Sequence, residues 1–186
     1  MAGKRAVAVV GSVAAIAALL FGLSFVRRTD HPRQVVDGKA PAVKLHFYRR
    51  PGVLLHPGDT ITSSDAVAVS YQNFGIEALW ALIFAYDSRG RLYWLEPHHV
   101  QGMPGQDLSV PLWASPKEMN VGSAARFGEL PPGPFDVFVL VTADLIAVSR
   151  IERLEPQERN RPSLENRFAD GVVAELPLLV AGPDGG

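Results

Sequence analysis

The chain contains no cysteine. That removes a disulfide framework, a thiolate nucleophile and every cysteine-ligated zinc site. It leaves the redox compartment open, because a cysteine-free chain suits a reducing or an oxidising one. An excess of one charge is also missing: 18 Lys and Arg stand against 19 Asp and Glu, for a formal net charge of −1. Binding to a phosphate backbone draws on clustered Lys and Arg, so no nucleic-acid partner is expected. The nucleophile signatures Gly-x-Ser-x-Gly and Ser-x-x-Lys do not occur. A phosphate loop is lacking too, since Gly102-Met103-Pro104-Gly105 is too short and its proline stiffens it. Internal repeats and low-complexity tracts are absent. These absences lead to the expectation of a non-catalytic chain without a cofactor.

What the chain has is apolar residues, 47% of its 186. The first concentration is AVAVVGSVAAIAALLFGLSFV, residues 6–26, with no charge and two serines, Ser12 and Ser24. A helix of that length spans about 31 Å, which matches a hydrocarbon core of about 30 Å. The run is apolar all round, unlike a helix packed on a soluble core. A cleaved signal has an apolar region of about 7–15 residues and then a small-x-small site. Here the late candidate, Gly22-Leu23-Ser24, is followed by Phe25 and Val26. An uncleaved anchor over 1–28 is therefore expected, with cleavage left as the alternative. Lys4 and Arg5 in a short leading tail favour a cytoplasmic N-terminus, although Arg27, Arg28 and Arg33 make the other flank at least as basic. The expected location is a bacterial inner membrane, crossed once, with the C-terminal part in the periplasm.

Residues 29–42 carry prolines, a glycine and charges without apolar periodicity, and read as a linker. Strand patterns follow. In VKLHFYR, Val43, Leu45 and Phe47 alternate with Lys44, His46 and Tyr48. In AVAVSY, Val67, Val69 and Tyr71 share a face. WALIFAYDSRGRLYWLEP reads as a hairpin turning at Asp87-Ser88-Arg89-Gly90, with Gly90 in the left-handed position. VPLW contains Pro111, which confines it to an edge. SPKEMNVGSAARFGELPPGP looks irregular, with one strand near 124–127, whereas 135–142 is a second strongly apolar strand. The expected domain is an antiparallel, Ig-like β-sandwich over 43–148. The remainder, 149–186, would form an extension with a short helix after Pro162 and a last strand. The alternative is an α+β domain in which 144–159 packs as a helix on the sheet.

Several residues invite a sharper reading. His98-His99, with Glu96 and Asp107 nearby, could serve a metal-assisted hydrolase or a ligand-binding enzyme, but no third ligand stands at a supporting spacing. Asp59 and Asp65 fit turns better than a calcium loop. Arg49 and Arg50 could hold an anion between them or merely guard a strand end. Of Trp80, Trp94 and Trp113, whichever is exposed is the best anchor for a protein partner. The candidate partner-binding residues are Trp94, Trp113, Arg49, Arg50, His98 and His99; no catalytic or metal-binding residue is assigned.

The stretches LHFYRRPG, PGDTITSSDAVAVSY, WALIFAYDSRGRLYWLEP, VPLW and GPFDVFVLVTA resemble extracytoplasmic β domains of uncharacterised single-span, anti-sigma-like bacterial envelope proteins, common in myxobacteria. Gly58-Asp59 and Asp87, Gly90, Tyr93 and Pro97 occupy the positions of that family's loop and hairpin motifs, across 45–142. Ser64-Asp65-Ala66 departs from the family's glycine and arginine, and no anti-sigma segment precedes the apolar run. The resemblance implies an extracytoplasmic envelope domain; one anchor, one β domain and no catalytic constellation give the expectation of a non-catalytic protein that binds another protein, as an accessory subunit or regulator of a membrane complex. The resemblance brings no catalytic residues.

Overall fold

The computed structural model describes residues 42–98, 108–127 and 130–182. The apolar run at 6–26, the linker up to residue 41, His99 and Asp107 lie outside the described residues. The strands are β1 (Val43–Arg49), β2 (Val53–Leu54), β3 (Thr60–Ile61), β4 (Ala66–Asn73), β5 (Leu79–Asp87), β6 (Leu92–Glu96), β7 (Val110–Leu112), β8 (Ser115–Arg126), β9 (Gly133–Thr142) and β10 (Val172–Val180). Between β9 and β10 come a helical turn α1 (Ser149–Glu152), a 3-10 turn (Pro156–Glu158) and helix α2 (Arg161–Arg167).

Two sheets result. The first has the order β2-β1-β4-β8, and the second β3-β10-β9-β5-β6, with β7 pairing the other half of the same β5 edge. All pairs are antiparallel except β3 with β10, which is parallel. Alternation dictates the inner faces. Leu45 and Phe47 of β1 and Val67, Val69 and Tyr71 of β4 meet Ala81, Ile83, Phe135, Val137, Val139 and Val141 of the second sheet in one core. The protein is thus mainly β, with two sheets packed face to face.

A second core lies behind the second sheet. β5 and β9 are apolar on both faces, so their outward residues Leu82, Phe84, Tyr86, Phe138 and Leu140 need cover. Ile146, Val148, Ile151, Leu154, Leu164 and Phe168 supply it. Asn160 caps α2 by accepting from the Ser163 amide at 3.0 Å. Arg159 ties this layer to the β5–β6 hairpin by donating to the Gly90 carbonyl at 2.6 Å.

Three expectations need correction. Of SPKEMNVGSAARFGELPPGP, read as irregular with one strand near 124–127, residues 115–126 form the longest described strand, β8, with 12 residues. The segment 149–186 does hold a short helix, Arg161–Arg167, and a last strand, but it is integral to the domain: it provides the helical layer, and β10 lies between β3 and β9 inside the sheet. The helical cover consists of short pieces from Ser149 to Arg167, not one helix over 144–159. Among the described residues no helix is long and apolar enough to cross a membrane.

Candidate functional site

Each predicted position has a definite place. Trp94 is half-buried, its ring 5.6 Å from that of Phe84 over the second core, so it is part of the fold and not a protruding anchor. Tyr93 turns the other way, packs on Phe135 and donates its hydroxyl to Asp87 Oδ2 at 2.9 Å. Trp113 is 63% exposed. Arg49 donates to the Thr60 carbonyl at 3.3 Å and lies 3.9 Å from Asp65, while exposed Arg50 follows on the turn after β1. The two arginines therefore do not form a shared anion clamp. Asp59 and Asp65 accept from the amides of His56 and Thr62, each at 2.8 Å, as turn residues do. Asp87 closes its hairpin by accepting from the Arg89 and Arg91 amides, each at 2.9 Å. Burial pushes its carboxyl up, but these amides and Tyr93 outweigh burial and hold it below the ordinary value.

His98 stands at a corner between the sheets. Its Nε2 is 2.9 Å from Ser123 Oγ and 3.5 Å from Oε1 of Glu96. Glu96 is buried and also accepts the Ser123 amide at 3.3 Å. A nucleophilic relay needs the acid and the hydroxyl on opposite nitrogens of the imidazole. Here both face the same nitrogen, and the carboxylate is engaged in joining β6 to β8. Gly122 makes that junction, since a Cβ at this position would overlap the Glu96 carboxylate. Among the described residues no group of three or more His, Cys, Asp or Glu side chains could hold a metal ion.

A polar cluster occupies the outer face of the first sheet, which no helix covers among the described residues. Glu118 Oε1 accepts from Ser70 Oγ, from Tyr48 Oη at 2.7 Å, and lies 3.2 Å from His46 Nδ1. The hydrogen bonds from Ser70 and Tyr48, with a smaller contribution from His46, bring the Glu118 carboxyl from 4.5 down to about 2. The same bond to Glu118, assisted by burial, raises the Tyr48 phenol. Beneath these groups Ala66, Ala68 and Ser70 form a buried floor of small side chains. The result is a shallow strip with a fixed negative charge beside β8. No motif announces it: residues 46, 48, 70 and 118 come together only through strand pairing.

β8 itself pairs β4 along one edge, and among the described residues no strand pairs the other. Its pairing with β4 slips twice, between Val67 and Val69 and between Tyr71 and Asn73. Pro116 and Lys117 stand at its start, the devices by which exposed edges avoid indiscriminate pairing. No protein-family model matches the sequence, and no curated protein matches it.

Proposed function

We propose that the chain is a single-span envelope protein of a bacterial inner membrane whose periplasmic β domain is non-catalytic and holds a protein partner. The partner would add an extended segment along β8 over 115–120 and set a cationic side chain against Glu118. The observation that carries this reading is the edge of β8, unpaired among the described residues, beside the Glu118 carboxylate on a sheet face that no described helix covers. Strand addition supplies main-chain hydrogen bonds, and neighbouring side-chain sites supply selectivity. The 21-residue apolar run and the resemblance to envelope domains support the location.

The chain has no native cysteine, so single cysteines can carry a photo-crosslinker at defined places. Probes at Lys117→Cys and Asn120→Cys in membranes of the native host should yield one discrete cross-linked product. A probe at Glu165→Cys on α2 should not. Equal products from all three positions, or none from the β8 pair, would defeat the reading.

A second reading, a hydrolase built on the His98 loop, rests on the meeting of His98, Glu96 and Ser123. It requires His98→Ala and Ser123→Ala each to abolish a hydrolytic activity of the purified chain. Retention of activity in both variants removes it.

A further inference from the structure

The end of the domain at which the chain enters carries a group of exposed apolar side chains. β1 begins there, with Val43 opposite Asn73, and the Phe74 amide donates to the Ala42 carbonyl at 3.0 Å. Two crossings between the sheets occupy the same end: the β4–β5 loop at 74–78 and the β7–β8 link at 113–114. Buried Asn73 ties them together. Its Nδ2 donates to the Glu77 carbonyl at 2.8 Å and to the Leu112 carbonyl at 3.0 Å, while its Oδ1 accepts the Gly75 amide at 2.9 Å. β9 also finishes here, with Thr142 opposite Trp80, so the loop bearing Leu145 joins the group. At this end Ile76 is 96% exposed, Trp113 63%, Phe74 53% and Leu145 46%.

Four large apolar side chains projecting from connected loops at one end have a physical use. Trp and Phe favour the boundary between headgroups and acyl chains, and aliphatic neighbours enter it with them. The charges nearby are mixed, Lys44 and Lys117 against Glu77 and Asp144, so apolar contact and not lipid charge would drive the association. The stretch from Arg27 to Pro41 separates the apolar run from Ala42. Fifteen residues reach at most about 50 Å when fully extended, so an anchored run at 6–26 would hold Ala42 no further than that from the bilayer.

From this we infer that Phe74, Ile76, Leu145 and Trp113 form a lipid-contacting tip that rests in the interfacial layer of the bilayer. The inference rests on the anchored reading proposed above. Such seating would leave the outer face of the first sheet and the β8 edge disposed laterally, open to a partner in the envelope.

The test uses the full chain reconstituted into phosphatidylcholine vesicles, with an environment-sensitive fluorophore on Ile76→Cys. The control carries it on Val53→Cys, at the far end of β1, where Val53 pairs Arg49. Lipid bearing a nitroxide near the headgroup should quench the label at 76 about twofold or more above the label at 53. Adding Trp113→Glu should remove that difference without changing the circular dichroism. Equal quenching at 76 and 53 in a chain that floats with the vesicles overturns the tip and leaves the anchor standing. A chain that does not float, with its label in water, overturns both. A label at 76 shielded in native membranes but insensitive to the lipid quencher also overturns the tip, because protein would then cover it.

Discussion

At Gly122 the backbone takes φ +55°, and the Glu96 carboxylate fills the space where a side chain would begin. Both facts bear on the same substitution. An L-residue in the left-handed region costs roughly 1–2 kcal/mol. Displacing the Glu96 carboxyl also leaves the Ser123 amide without its partner, a loss of about 1–3 kcal/mol. Gly122→Ala should therefore destabilise the domain by about 2–5 kcal/mol, read as a lower midpoint in chemical unfolding. A midpoint within experimental error of the parent would show that the corner is not a structural junction. His98, more exposed and on the same carboxylate, should give a far smaller change when replaced by alanine.

Among the elements, α2 holds its place chiefly through Leu164, which is fully buried against the back of the second sheet. Leu164→Ala should cost about 2–5 kcal/mol, as large-to-small changes in cores do. Hydrogen exchange should quicken first across 161–168, while β4 amides in the other core keep their protection. Exchange that rises equally in both cores would mean the two layers are one cooperative unit. The elements also differ in how far the sequence foretold them. β1, β4, β5 and β9 announce themselves, because one or both faces are apolar and the period is two. The Asp87–Gly90 turn was equally legible, for Gly90 does take a positive φ of 73°. β8 was not, since Val121 and Ala125 are its buried residues and Pro116 and Gly122 read as breakers. Its pairing with β4, not its own pattern, makes it a strand. The two-faced apolar runs of β5 and β9 signalled a cover on each side, but which segment supplied the second cover was hidden in the polar-looking stretch at 149–170. Trp113 could be singled out by residue type alone. The Glu118 cluster could not, because its members are up to 72 positions apart.

For the molecule as a whole, acid is the most informative perturbation. Glu118 titrates near 2 in the folded chain and near 4.5 when free of its partners. Its contribution is complete above about 4.5 and is lost as pH falls toward 2. Asp87, also held below its ordinary value, acts in the same direction. Asp136 and Glu175 act oppositely: burial raises both, and for Glu175 the charge of Asp136 adds to it, so protonating them relieves the fold. Glu118→Gln should therefore flatten the decline in stability between about pH 4.5 and 2, measured by urea unfolding across that range. An unchanged pH profile in that variant would mean the cluster contributes nothing to the fold, and the exposed setting of Glu118 keeps the expected effect modest.

The place of β10 between β3 and β9 has a consequence for synthesis. β3, β5 and β9 leave the ribosome long before their central neighbour does, and the first two cannot be joined into one sheet until it arrives. During that interval the flanks of β9 and β3 lie open, and a nascent chain is exposed to mispairing along them until residues 172–180 emerge.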